Sequence, residues 1–182
     1  MLRRLRATDA GAIAAAVGAS LDYLRPWMPW ATPAAAERRS QLSRVAEADQ
    51  WWEAGIRYTY SVVATARGTL VGEITLHRQS AVGAAAIGSW AEIGYWIAAS
   101  QSSRGYGTSA TEAITDLALT LPGIVRAEIH CDIANGASSA IARKAGYRLD
   151  RIEKRQPEAP GETGRLMIWV RDRRADAADQ AG

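Results

Sequence analysis

The sequence is poor in the residues that build disulfide bonds and metal sites. Its single cysteine, Cys131, has no partner for an internal disulfide, and its two histidines, His77 and His130, do not fall at metal-ligand spacings with it. No apolar run approaches the length of a membrane span, and the basic start of the chain lacks the apolar stretch of a signal peptide. We therefore expect a soluble, unexported cytoplasmic protein with no metal and no membrane association.

The chain also lacks a strong excess of charge, and it contains no phenylalanine. Its 22 Lys and Arg residues against 19 Asp and Glu residues give a formal net charge of +3, which does not favour nucleic-acid binding. Seven tryptophans and six tyrosines supply the aromatic side chains. Four of the tryptophans occur in two clusters that suit either an aromatic surface or the filling of a core: Trp27, Trp30, Trp51 and Trp52.

Length and periodicity predict a single α/β domain over residues 1–171, followed by a polar tail over 172–182 that we expect to be disordered. Two prolines make the Trp-bearing segment 24–30 a loop, and we expect a hairpin turn at Arg67-Gly68 and a flexible loop from Gln79 to Gly88. The predicted strands are 2–6, 58–64, 69–77, 89–98, 125–133, 147–155 and 165–171. The first predicted helix begins at Thr8 or Asp9 and ends near Leu24. Three further helices are predicted over about 33–54, 105–121 and 135–145.

A glycine-containing turn, Ser102 to Thr108, lies between a predicted strand and a helix. Gly105 and Gly107 let the backbone approach a ligand closely. The N–H groups of the first helical turn, Tyr106 to Thr108, form an anion site together with the helix dipole, and a pyrophosphate suits this site. Arg104 adds a positive charge beside it. The turn lacks both the third glycine of the dinucleotide fingerprint and the Gly-Lys-Ser/Thr of the phosphate loop.

Two further segments accompany this turn. The segment from Asn135 to Tyr147 reads Asn-x-x-Ser-x-x-Ile-x-x-Lys-x-Gly-Tyr, and the segment from Ala91 to Ile97 precedes the glycine turn as a strand. Together the three segments resemble the GNAT superfamily of N-acetyltransferases, in its Rim-type branch of ribosomal-protein N-terminal acetyltransferases. Ser102 stands where that family has Gln or Arg, so only the backbone part of its pyrophosphate loop carries over.

The resemblance implies a GNAT fold, in which a mixed, mostly antiparallel sheet of about seven strands is split at strands 4 and 5 and flanked by about four helices. It implies acetyl-CoA as the coenzyme, with its pantetheine arm in the split and bonded by the backbone near Ile97 and Ala98. Asn135 and Lys144 are further coenzyme-binding candidates. Asn135 equally suits a helix cap, and Lys144 equally suits a solvated helix face.

The implied reaction moves acetyl to a primary amine by direct attack in a ternary complex. The amine must be uncharged, because an ammonium has no lone pair. Glu92 matches the general base of many relatives; the alternative is a surface carboxylate that pairs with an arginine. Arg143 stands where many relatives have a tyrosine acid, so Ser138 is the candidate proton donor, with a role at the helix N-terminus as the alternative.

Each histidine stands alone in a predicted strand, which favours a structural role. His130 and Cys131 are adjacent in a strand, so their side chains point to opposite faces and cannot form a nucleophile pair. A covalent acetyl-cysteine mechanism is therefore not expected.

The acceptor remains open between a protein N-terminus, such as that of a ribosomal protein, and an amine-bearing small molecule. Early helices and loops would wall the acceptor side, with Trp27, Trp30 and Trp51 as binding residues. The Trp-rich surface would also suit a homodimer. The alternative function is a non-catalytic acetyl-CoA-binding sensor or assembly module, which predicts coenzyme binding that is indifferent to loss of Glu92.

Overall fold

The structure is a computed structural model that describes residues 1–66, 68–80 and 89–173. Within these ranges the chain forms seven strands and five α-helices. The strands are β1 (Leu2–Arg4), β2 (Arg57–Ala64), β3 (Thr69–Ser80), β4 (Ser89–Ile97), β5 (Ile124–Asp132), β6 (Arg148–Lys154) and β7 (Arg165–Asp172). The helices are α1 (Ala10–Gly18), α2 (Leu21–Leu24), α3 (Arg38–Glu53), α4 (Tyr106–Thr120) and α5 (Gly136–Lys144), and α2 is a single turn.

The seven strands form one sheet in the order β1-β2-β3-β4-β5-β7-β6. Every neighbouring pair is antiparallel except β4 and β5, which run parallel because α4 carries the chain back across the sheet between them. Their pairing begins at Ser89 and Ile124 and ends at Glu92 and Glu128. Beyond this point the two strands diverge, which confirms the predicted mixed sheet with a split between strands 4 and 5.

Helices cover both faces of the sheet. Alternation along the strands turns Ile74, Ile93 and Ile129 toward α4 and α5, where they are fully buried. On the other face, Ile13 and Val45 hold α1 and α3 against the sheet. Each such side chain contributes about 1.5–3 kcal/mol through its burial, so both faces contribute to stability.

The predicted first helix is interrupted. α1 ends at Gly18 and α2 begins at Leu21, and Ser20 in the break between them bonds to the turn after β4. The hydroxyl of Ser20 accepts a hydrogen bond from the backbone N–H of Ala99 at 3.0 Å. This bond anchors the break to the turn that follows β4.

Three other predicted segments, a loop, a hairpin turn and the tail, lie partly outside the described residues. β3 extends through Gln79 to Ser80, so only residues 81–88 of the predicted loop lie outside the described ranges, as does Arg67 of the predicted hairpin turn. β7 extends to Asp172, whose carboxylate pairs with Arg126 at 2.6 Å, so the predicted tail boundary is early. Residues 174–182 lie outside the description. In the part of the chain that is described, no helix has the length and apolar character needed to cross a membrane.

Candidate active site

A cavity of about 490 Å³ opens where β4 and β5 diverge. Its floor includes β4 from Glu92 to Trp96 and β5 from Ile129 to Asp132. Side chains from α1, α3 and the loop 24–30 form one wall, and Asn135 and Ser138 contribute the start of α5. The cavity therefore lies at the vertex of the split, between the early helices and the second half of the chain.

The edge of β4 faces this split with unpaired backbone groups. The N–H of Ala98 donates to Val71 at 2.8 Å, and the carbonyl of Ala98 accepts from Gln101 at 2.8 Å. Along an antiparallel strand, every second residue directs its N–H and C=O groups to the neighbouring strand, and the residues between direct theirs away from it. Ala98 bonds to β3, so Ile97 and Tyr95 direct their N–H and C=O groups away from β3 and toward the split. Of the two backbone positions predicted to bond a pantetheine, Ile97 therefore offers free groups, whereas both groups of Ala98 have partners within the chain.

The glycine turn has the geometry of an anion site. Gly105 adopts a left-handed φ of 82° at the N-cap of α4, and no side chain caps this helix. The bond from the N–H of Ser109 to the carbonyl of Gly105, at 3.0 Å, begins the helix ladder, so the N–H groups of Tyr106 to Thr108 precede it. Arg104 is exposed beside them. The turn does not line the cavity and lies apart from the vertex.

Gly107 allows α4 and α5 to lie close together. It is buried, and a Cβ atom at this position would lie 2.7 Å from Cδ1 of Ile141 on α5. The second glycine of the turn is therefore explained by helix packing, whereas the first is explained by its backbone conformation.

Glu92 belongs to a row of polar side chains across β3, β4 and β5. His77, Glu92 and Glu128 are aligned by the strand registers. Nε2 of Gln79 donates to Oε2 of Glu92 at 3.2 Å and lies 3.1 Å from Nδ1 of His77. Nε2 of His130 lies 2.8 Å from Oε2 of Glu128, and Nδ1 of His130 lies 3.9 Å from Oε1 of Glu92.

This row changes the interpretation of two residues. Glu92 lines the cavity, and within the described residues no arginine lies within ion-pair distance of it. The expectation that His130 stands alone is wrong, because Glu128 precedes it by two residues on the same face of β5 and Glu92 approaches it from β4. The Glu-x-His spacing is visible in the sequence, but the approach of Glu92 depends on strand register.

Ser138 contacts a tyrosine from β4. Its Oγ lies 2.9 Å from the hydroxyl of Tyr95, and its backbone N–H donates to Oδ1 of Asn135 at 3.0 Å. Asn135 is thus the helix cap, which leaves the hydroxyl of Ser138 for other contacts. Burial raises the pKa of Tyr95, although its bond with Ser138 opposes this, so the phenol is protonated at neutral pH. Sequence reasoning missed Tyr95 because it sought a tyrosine only on α5, where Arg143 stands.

Cys131 also lines the cavity, yet its thiol is almost fully buried. Burial raises the pKa of this thiol, so at neutral pH it is not the thiolate that nucleophilic attack requires. This agrees with the expectation that no covalent acetyl-cysteine forms.

The tryptophans divide between the cavity and the core. Four of them line the cavity: Trp27, Trp30, Trp51 and, on β4, Trp96. Trp30 meets Trp96 edge to face, with ring centroids 6.1 Å apart. Trp52 instead packs against Tyr58 and Tyr60, with centroid distances of 5.0 and 5.1 Å, so it supports the fold rather than the cavity.

Lys144 lies at the far end of α5 from Asn135. It lines a shallow surface depression with Glu112, Asp116 and Arg171. Asp116 pairs with Arg171 at 2.7 Å in this depression, which shares no lining residue with the cavity at the split. A contact between Lys144 and the coenzyme stays a prediction.

The charged groups that line the cavity favour a cationic guest. The carboxylates are Glu47, Glu73, Glu92, Asp132 and Glu162, and the guanidinium groups are Arg44, Arg57 and Arg155. Glu73 is buried and is held by Arg44 at 2.6 Å and by the indole N–H of Trp96 at 3.1 Å. The remaining excess of negative charge favours an ammonium group at the vertex.

Several solved structures share this fold. RimL, a ribosomal L7/L12 α-N-protein acetyltransferase in complex with coenzyme A, has a TM-score of 0.81 at 19% identity, over 94% of this chain and 92% of its own. Mycobacterium smegmatis RimJ in complex with CoA-disulfide has a TM-score of 0.81 at 24% identity, over 100% and 83%. The microcin C7 self-immunity acetyltransferase MccE, in complex with acetyl-CoA and AMP, has a TM-score of 0.79 at 17% identity, over 94% and 91%.

No curated protein sequence matches the chain. The family model of the acetyltransferase (GNAT) domain matches residues 1–148, which is more than half of the chain. Together with the split sheet and the glycine turn before α4, this match shows that the chain belongs to the GNAT family of acetyltransferases.

Proposed function

We propose that this acetyltransferase acetylates the α-amine of a protein N-terminus, which enters the cavity between the tryptophan wall and the vertex of the split. The observation that carries the proposal is the position of Glu92. It is the last residue of β4 that pairs with β5, and its carboxylate faces the cavity. An ammonium that reaches the vertex therefore meets a carboxylate before it meets the acetyl donor.

The residues present fit acetyl-CoA. The turn from Gly105 to Thr108 offers uncapped N–H groups for the pyrophosphate, with Arg104 beside them. Ile97 and Tyr95 offer backbone groups to the pantetheine arm along the free edge of β4. The coenzyme supplies the acetyl thioester, and every other contribution comes from this chain.

The acceptor nitrogen must be deprotonated and the leaving sulfur must be protonated. The nitrogen loses two protons in all, one before the attack and one as the amide forms. Glu92 binds the ammonium and begins its deprotonation, which frees the lone pair for attack. On the other side of the split, the Ser138 hydroxyl gives a proton to the departing sulfur and is resupplied by Tyr95 at 2.9 Å. Deprotonation of the nitrogen and protonation of the sulfur use side chains on opposite faces of the sheet, since Glu92 and Tyr95 are three residues apart on one strand.

An α-amine suits this arrangement better than a lysine. Its ordinary pKa of about 8 lies more than two units below the value of about 10.4 for a lysine side chain, so less free energy is needed to deprotonate it. Aromatic walls of Trp27, Trp30 and Trp51 can contact the first side chains of an extended peptide. RimL is described as acting on the α-amine of a ribosomal protein, and MccE is described with AMP, so small amines belong in the same test.

The test is thiol release from acetyl-CoA with peptides that begin with Ser, Ala or Met, and with amine antibiotics. We expect turnover of a peptide, and Glu92→Gln should lower kcat by about 10²-fold while coenzyme binding is retained. Glu112→Gln, which removes an exposed carboxylate of α4, is the matched control and should leave kcat unchanged.

Turnover of the antibiotics alone would overturn the peptide proposal. Coenzyme binding without turnover of any amine, and without an effect of Glu92→Gln, would instead favour a sensor.

A further inference from the structure

We propose that the first proton taken from the acceptor ends on Nδ1 of His130, which Glu128 orients, rather than on Glu92. This inference rests on the proposed function and names the group that completes its deprotonation step. The three side chains stand in line, with Glu128 behind His130 and Glu92 in front of it, and His130 and Glu92 both line the cavity.

The hydrogen bond to Glu128 selects the tautomer. The Glu128 side chain is 8% exposed, and its Oε2 lies 2.8 Å from Nε2 of His130. A carboxylate accepts hydrogen bonds and cannot donate them, so Nε2 must carry a proton in the neutral ring. Nδ1 is then left with a lone pair, and it is this atom that faces Glu92.

The gap between Glu92 and His130 fits one nitrogen. Nδ1 of His130 and Oε1 of Glu92 are 3.9 Å apart, which is too far for a direct hydrogen bond. An ammonium nitrogen can nevertheless lie about 2.9 Å from both atoms at once. It would donate one N–H to the carboxylate and another to the imidazole, so the ammonium is held at the point where it loses its proton.

The reference acidities favour the imidazole as the final acceptor. Side chains ordinarily have pKa values of about 4.3 for glutamate and about 6.5 for histidine, against about 8 for an α-amine. A proton therefore moves to an imidazole less unfavourably than to a carboxylate. The first N–H bond of the ammonium breaks, and an N–H bond forms at Nδ1. The freed lone pair attacks the acetyl carbon, the C–S bond breaks, and the sulfur takes its proton from Ser138. As the amide forms, the nitrogen loses its second proton to Glu92, which releases it to water in the cavity.

The surroundings accommodate the imidazolium that results. It would lie between two carboxylates, with Gln79 holding Glu92 from β3 at 3.2 Å. The other charged or titratable groups near this row belong to β2, β3, β5, β6 and the segment after β6: Arg57, His77, Asp132, Arg151, Arg155 and Glu162. The carboxylate of Asp132 is already occupied by backbone N–H groups, so Glu92 and Glu128 are the partners of the ring.

Long-range ¹H–¹⁵N NMR of the free protein tests the tautomer without any acceptor. The chain has only two histidines, so His77→Gln assigns both rings. Above pH 8 we expect His130 to carry its proton on Nε2, and Glu128→Gln should abolish this preference. A proton on Nδ1 in the wild-type protein would overturn the proposal.

The pH dependence of turnover tests the proton transfer. His130→Gln should lower kcat by about 10²-fold, leave the KM for acetyl-CoA within about threefold, and move the acid limb of kcat/KM by more than about one pH unit toward acid. If Glu92→Gln abolishes turnover but His130→Gln changes neither kcat nor the acid limb, the proposed function stands and this inference fails. If no amine is acetylated, the proposed function fails, and the tautomer measurement still decides the orientation of His130.

Discussion

The hydroxyl of Tyr95 lies 2.9 Å from Oγ of Ser138, and this contact joins β4 to the first turn of α5 across the split in the sheet. Tyr95 is partly buried, and burial holds its phenol in the protonated form. Two hydroxyls in contact can pass a proton from one to the other, so Tyr95 can resupply Ser138 in the proposed mechanism although α5 carries no tyrosine.

Tyr95→Phe and Ser138→Ala should each lower kcat by about 10- to 100-fold, because each breaks the same chain of proton donors. The double variant should be scarcely slower than the slower single variant, since contacting residues that act as a unit are not additive. Steady-state kinetics of the four proteins with one peptide measures this coupling. Fully additive effects would show that the two hydroxyls act independently.

Gly105→Ala should weaken coenzyme binding, and Gly123→Ala should not. Both glycines have a left-handed φ, 82° and 80°, and a Cβ atom would meet nothing within 4 Å at either position. Each substitution should therefore cost about 1 kcal/mol of stability through backbone strain alone. Only Gly105 orients the first N–H groups of α4, so only its variant should raise the Kd for acetyl-CoA, by about tenfold.

Isothermal titration with acetyl-CoA and urea unfolding separate the two effects of these glycine variants. Equal affinities of the two variants for the coenzyme would contradict an anion site at the turn before α4.

Trp51→Ala and Trp52→Ala should differ although the residues are adjacent. Trp51 lines the cavity and is 40% exposed, so its loss should raise the KM for the acceptor severalfold and change stability by less than about 1 kcal/mol. Trp52 packs against Tyr58 and Tyr60, so its loss should lower the free energy of unfolding by about 2–4 kcal/mol. The KM for the acceptor in Trp52→Ala should stay at the wild-type value, and a rise equal to that of Trp51→Ala would contradict this assignment.

Asp132→Asn should destabilise the fold and reduce its sensitivity to acid. The buried carboxylate accepts bonds from the backbone N–H groups of Ala134 at 2.9 Å, Thr163 at 2.9 Å and Gly164 at 3.0 Å. Burial alone would raise the pKa of Asp132, but these bonds hold its pKa below the ordinary value. An amide cannot accept all of them, so we expect a loss of about 2 kcal/mol at pH 7.

The sign of the acid effect follows from the lowered pKa of Asp132. The unfolded chain takes up its proton at a higher pH than the folded chain does, so the stabilisation is present above the unfolded pKa of about 4 and is lost as the pH falls through the lower folded value. Urea unfolding between pH 5 and pH 2.5 should show a shallower decline for Asp132→Asn than for the wild type. Parallel declines would contradict the shift.

Much of the fold could be predicted from local patterns. The last six predicted strands agree with the structure to within three residues at each end, because alternation and β-branched residues are properties of a short segment. Gly55, Gly123 and Gly146 lie at the ends of α3, α4 and α5 with positive φ, as their positions after helical segments indicated. The segment from Asn135 to Tyr147, with the glycine turn, indicated the GNAT family, and the family match confirms it.

The candidate site was harder to predict, because its parts come together only through strand register. His130 was assigned a structural role from its isolation in the sequence, yet the parallel pairing of β4 with β5 brings Glu92 to within 3.9 Å of it. Lys144 matched the family pattern, but its position at the far end of α5 places it beside carboxylates. The backbone of Ala98 was expected to be free, but Val71 and Gln101 use it.

The sequence by itself determined the strands, most of the helices, their order and the glycine conformation at the start of α4, because backbone conformation and amphipathic period depend on neighbours in the chain. Only the tertiary structure decided that Tyr95 reaches Ser138, and that Glu92, His130 and Glu128 form one line. Such contacts join strands and helices that are remote in sequence, and they depend on register and on the divergence of β4 from β5. A one-residue change in register would turn these side chains to the opposite face, and the site would not form.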